Sequence, residues 1–104
     1  MLTNEQVLEI FKVYLDEDQA TEVVQTRHGA AVMLWDYTAK TWSDVECCPT
    51  PEDLFDNLMD SFVSYKKFKV WELHRREIPN AEDWEQIHAM QRQFLQKRKE
   101  VETT

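Results

Sequence analysis

At 104 residues, with 20 acidic side chains against 12 basic ones, the chain has room for one domain and carries a formal charge of −8. An apolar share of 42% that includes five Phe, four Trp and three Tyr excludes a disordered segment, because such segments are poor in aromatics. A single glycine excludes a phosphate-cradling glycine loop. No apolar run approaches the ~18 residues of a membrane helix, and the first residues lack the basic start and apolar stretch of a signal peptide. The expectation is a cytoplasmic, non-membrane protein in which the adjacent Cys47 and Cys48 stay reduced, since neighbours on an extended chain point to opposite faces.

Residues 4–15 predict a first helix: Asn4 is a candidate cap, and Val7, Leu8, Phe11, Tyr14 and Leu15 recur at spacings of three and four. Asp16-Glu17-Asp18 then breaks the pattern. The β-branched run 22–26 predicts a strand. Arg27-His28-Gly29 reads as a three-residue hairpin loop, with the glycine where positive φ is needed. Residues 30–35 are apolar on both faces, as in a middle strand, and 36–40 form a loop. Strict alternation over 41–47 puts Trp42, Asp44 and Glu46 on one face, expected to meet water, and Thr41, Ser43, Val45 and Cys47 on the other.

Thr50-Pro51-Glu52-Asp53 is a helix start, with a Thr cap, Pro at the first helical position and acids in the first turn. Leu54, Phe55, Leu58, Met59, Phe62 and Val63 form the apolar stripe of that helix, and Glu52, Asp53, Asp56 and Asp60 its acidic face. Between Tyr65 and Arg76 the spacing allows helix or a short strand; the favoured reading is helix to about Lys69 and irregular chain after it. Asn80-Ala81-Glu82-Asp83 caps a third helix running to about Val101, whose sparse apolar residues Trp84, Ile87, Met90, Phe94, Leu95 and Val101 suit docking on one neighbour, in the same chain or another.

Charge is unevenly distributed. Residues 1–63 hold three basic side chains against thirteen acidic ones, net −10, whereas residues 64–104 hold nine against seven, net +2. Cys47-Cys48 lacks the spacing that lets two thiolates share a zinc, and His28, His74 and His88 form no ligand pair, so neither a metal nor a cofactor is expected. Cys48 before Pro49 sits at a helix mouth, where a dipole lowers a thiol pKa, but no histidine stands out as its base. The order helix, three strands, helix is also that of a double-stranded-RNA-binding domain. Such domains put lysines at the start of the second helix to hold phosphates, and the acids Glu52 and Asp53 here would repel them, so direct nucleic-acid binding is not expected.

Ala31-Val32-Met33-Leu34-Trp35-Asp36, Trp42-Ser43-Asp44-Val45-Glu46 and Thr50-Pro51-Glu52-Asp53-Leu54-Phe55 together resemble small uncharacterised proteins carried by mobile elements of gut Firmicutes, a likeness covering residues 20–63. The resemblance implies an accessory or counter-defence role and brings no catalytic motif.

The expected fold is α+β in a single domain over residues 1–104. Residues 1–79 form a helix, a three-stranded antiparallel meander and a helix packed on the sheet, and residues 80–104 form a long C-terminal helix. The expected function is a non-catalytic protein-binding module or regulator, with a partner protein or a second copy bound through Tyr37, Trp42, Trp84 and the acids Asp44, Glu46, Glu52, Asp53, Asp56 and Asp60. The alternative is a nucleic-acid mimic that blocks a DNA- or RNA-processing or defence enzyme.

Overall fold

The computed structural model describes residues 1–103. Their elements run α1 (Asn4–Ile10), α2 (Lys12–Glu17), β1 (Thr21–Thr26), β2 (Gly29–Asp36), β3 (Thr41–Cys48), α3 (Pro51–His74) and α4 (Ala81–Glu102). The fold is α+β, with a three-stranded antiparallel sheet in the order β1-β2-β3.

The first helix starts one residue earlier than Asn4 suggests. Thr3 is the cap: its hydroxyl accepts from the Gln6 amide at 3.2 Å, and the Gln6 side chain accepts from the Thr3 amide at 2.9 Å. The helix is interrupted at Phe11, and α2 then takes in Asp16 and Glu17, which the sequence reading placed beyond the helix. The break comes at Asp18, whose side chain has partners outside the helical ladder. Its carboxylate is buried and accepts from the Tyr14 hydroxyl at 2.7 Å, the Thr21 hydroxyl at 2.8 Å and the Ala20 amide at 3.3 Å, which fixes the corner between α2 and β1.

Burial, and next the hydrogen bond to Asp18, push the Tyr14 phenol far above the usual tyrosine range. A proton held more tightly in the folded state stabilises the fold fully below the ordinary tyrosine pKa of about 10, and that contribution is lost as pH rises through the folded value. In an alkaline titration the Tyr14 tyrosinate signal is therefore expected to rise together with loss of helical circular dichroism. Tyr14→Phe should remove that component; a Tyr14 signal that completes while the helices remain intact would contradict the burial.

Arg27 and His28 turn the first hairpin, and Gly29 follows at φ 113°. In the second hairpin the Asp36 carboxylate accepts from the amides of Thr38 and Ala39, and Lys40 adopts φ 56°. Register gives each sheet face its residues. Val23, Val32 and Glu46 lie side by side, as do Thr21, Leu34 and Asp44, on the face turned to α3; Glu22, Met33 and Val45 lie on the other.

The alternation expected for β3 is broken by a bulge opposite Leu34 and Trp35, which leaves Ser43 as the extra residue and pairs Trp42 with Trp35. Trp42 consequently leaves the face of Asp44 and Glu46 and meets the Trp35 ring edge-on at 4.9 Å. The carboxylates point toward the helix side of the sheet, and the opposite face leaves Val24 and Val45 exposed.

Thr50 caps α3 as its sequence requires, accepting from the Asp53 amide at 3.2 Å. The helix does not stop near Lys69; it continues to His74 and ends on Arg75 in the left-handed region. Arg76 then clasps Asp83 through Nε at 3.2 Å and Nη2 at 2.8 Å, and Asp83 completes a capping box with Asn80 at the start of α4. The Asn80 backbone amide first, then Arg76, hold the Asp83 carboxyl below the usual range. The neighbour on which α4 docks lies within the chain. Phe94 meets Phe11 at 4.6 Å and Phe62 at 4.9 Å, and Phe62 in turn meets Tyr14 at 5.6 Å. These rings join Leu54 and Leu58 of α3 and Ala30, Val32 and Cys48 of the sheet in one buried cluster. The body is flat, measuring 40 × 35 × 18 Å.

Candidate functional site: an acidic groove between α3 and the sheet

In the N-terminal half of α3, Leu54 and Leu58 share the buried cluster with Val32 and Cys48 of the sheet and Asn57 bonds Glu46, whereas Phe62 meets Tyr14 of α2 and Phe94 of α4. Two features of sequence drive this divergence. Tyr14, Tyr65 and Phe94 give the C-terminal half aromatic partners among the helices, with Tyr65 at 5.7 Å from Tyr14. Asp44 and Glu46 occupy the sheet face below the helix, and burying carboxylates there without partners would cost several kcal/mol. Glu46 keeps one partner, the Asn57 side-chain amide, which donates to it from α3.

The gap that results is a groove of about 770 Å³. Val32 and Leu34 of β2 and Tyr65 and Phe68 of α3 contribute apolar surface, and Tyr37 also lines the groove. Leu34 is 44% exposed and Phe68 51%. The carboxylates of Glu17, Asp18, Asp44, Glu46 and Asp60 line the same space, with Lys69 as the one cation there among the described residues. Asp18 is occupied by Tyr14 and Thr21, and Glu17 lies 3.8 Å from Lys66, so Asp44, Glu46 and Asp60 supply the negative charge not balanced by an ion pair.

The residues singled out from the sequence are thus divided. Tyr37, Asp44, Glu46 and Asp60 come together in the groove. Glu52 and Asp53 occupy the first turn of α3, outside it, and Asp56 is exposed on the same helix away from the lining. Trp42 is on the far face of the sheet. Trp84 is half-buried against the core, stacked on His88 at 5.5 Å beneath Lys67, whose Nζ lies 5.3 Å from the ring. Leu34, Asn57, Tyr65 and Phe68 were not singled out. The signal for three of them was available, since Ser61, Tyr65 and Phe68 continue a helical row from Asn57.

Other chemistry finds less support. The Cys48 thiol is buried; desolvation first, then Glu46, Asp53 and Cys47, raise its pKa, the opposite of what a nucleophilic thiolate needs. Among the described residues, no group of three or more His, Cys, Asp or Glu side chains is placed to hold a metal ion, and no helix is long and apolar enough to cross a membrane. Compared with family models, with curated protein sequences and with solved structures, the chain matches none of them.

Proposed function

We propose that this chain is a non-catalytic binding module whose groove receives a basic, amphipathic segment of a partner protein. One observation carries the reading: an apolar strip of Leu34, Tyr65 and Phe68 lies between carboxylates from both walls that form no ion pair, Asp44 and Glu46 on β3 and Asp60 on α3. Burial of apolar side chains on the strip supplies affinity, and the flanking carboxylates select Lys or Arg at the edges of the incoming segment.

The test uses a panel of synthetic amphipathic helical peptides with leucines on one face and lysines on the other, titrated onto the protein and followed by backbone amide shifts. Shifts are expected at Leu34, Asp44, Ser64 and Phe68. Asp44→Asn, Glu46→Gln and Asp60→Asn combined should weaken binding by at least about tenfold at low salt, and Phe68→Ala should weaken it at high salt as well. Equal binding of the peptides to the triple variant and the wild type would sink the proposal.

A second reading draws on Asp53, Asp56 and Asp60, which are exposed and outside every ion pair among the described residues. As a nucleic-acid mimic, in keeping with the accessory or counter-defence role the sequence resemblance implies, the chain would occupy a basic groove of its target. DNA oligonucleotides would then displace it from that target, and the peptide panel would not.

A further inference from the structure

Along the α3 wall of the groove and past both of its ends runs a row of residues with a regular spacing. Asp53, Asn57, Asp60, Ser64, Lys67 and Trp71 follow one another at alternating steps of four and three residues. At 3.6 residues per turn they occupy a sector about 80° wide, the geometry of a helix seam. The seam is polar at its N-terminal end and basic and aromatic at the other, where Arg75 follows Trp71 and places its guanidinium 5.2 Å from the indole. Among the described residues, Asp53, Asp60, Lys67 and Arg75 form no ion pair with any side chain of their own chain.

Reversed end for end, this row complements itself. The midpoint between Asp53 and Arg75 is residue 64, the midpoint between Asn57 and Trp71 is also residue 64, and that between Asp60 and Lys67 falls half a residue before it. We propose that a second copy of this chain docks antiparallel along this face of α3, about a two-fold axis passing Ser64. Asp60 then faces the partner's Lys67, Asp53 faces the partner's Arg75, and Trp71 covers the partner's Asn57. Each pairing occurs twice, as a two-fold interface requires. Serine at the axis is small enough for the helices to approach closely. Exposed ion pairs alone contribute little, so the apolar anchor is Trp71, 42% exposed, with Phe68 beside it. Leu34, Asp44 and Glu46 lie off the seam, whereas Asn57, Asp60, Ser64 and Phe68 also line the groove, so a docked copy covers part of the groove's α3 wall.

The experiment is light-scattering mass after size exclusion, on the full chain at low and high salt. The wild type is expected to run as a dimer at low salt. Asp60→Lys or Lys67→Asp alone should raise the dissociation constant at least about tenfold, and the double charge swap should recover it to within about threefold. Asp44→Asn with Glu46→Gln should leave the dimer unchanged, which separates this contact from the sheet wall of the groove. A wild-type monomer under all conditions, or a swap no better than the single changes, overturns the proposal. A readout independent of charge uses Ser64→Cys with Cys47→Ser, mildly oxidised, with circular dichroism to verify the fold. An intermolecular disulfide is expected to form far faster at position 64 than for Thr26→Cys in the same background; equal rates also overturn it.

Discussion

Gly29→Ala is expected to lower stability by about 3 kcal/mol, from a positive-φ penalty of about 1–2 kcal/mol and a steric one of about 1–3 kcal/mol. Gly29 has φ 113°, and an added Cβ would lie 2.7 Å from the Cys48 carbonyl oxygen and 2.8 Å from the Pro49 Cα. Both are backbone atoms and cannot rotate aside. Relief requires moving the end of β3, which pairs Cys48 with Ala30 and leads directly into α3. For a domain of this size the loss corresponds to a drop of roughly 15 °C in melting temperature, measured by circular dichroism. The paired control is Lys40→Gly, where glycine adopts the φ of 56° without strain and stability should rise by up to about 1 kcal/mol. A Gly29→Ala variant that melts with the wild type would show that the β3–α3 junction yields to the added methyl group.

Phe62→Ala should cost more, about 3–5 kcal/mol, a large part of the ~5–15 kcal/mol that stabilises a small domain. The ring is 1% exposed and meets both Tyr14 and Phe94 edge-on, so its removal empties the point where α2, α3 and α4 meet. Phe62→Leu retains much of the volume and should lose about 1–2 kcal/mol. Urea unfolding of the two variants distinguishes a cavity effect from a general intolerance of substitution: equal midpoints for Ala and Leu would mean that the site collapses freely around the smaller side chain.

The legible parts of this fold are those where local chemistry and tertiary packing agree. Thr50-Pro51 and Asn80 announce their helices because capping is settled within four residues, and Gly29 announces its hairpin because only glycine takes that φ without strain. The end of α3 was hidden for the converse reason. Arg75 closes the helix in a left-handed conformation that glycine normally marks, and Phe68 and Trp71 are exposed, so apolar spacing there does not report burial. The bulge at Ser43 leaves no trace in a strictly alternating segment, yet it moves Trp42 to the other face of the sheet. Half of the groove follows from the same limit. Asp44, Glu46 and Asp60 could be named from composition and spacing, but their meeting depends on α3 leaving the sheet, a choice made by aromatic partners far away in sequence.

That departure also divides the molecule energetically. From Met33 to Cys47 the β2–β3 hairpin contributes no buried residue and is held by its backbone ladder, the Trp35–Trp42 contact and the Asp36 turn. Opening this tip breaks few apolar contacts, so its local unfolding free energy lies below that of the whole domain. Amide hydrogen exchange is therefore expected to be faster around Tyr37 than in the ring cluster around Phe94. Were the groove to receive a segment as proposed, one longer than the groove would enter by brief release of the hairpin tip, with no rearrangement of the core.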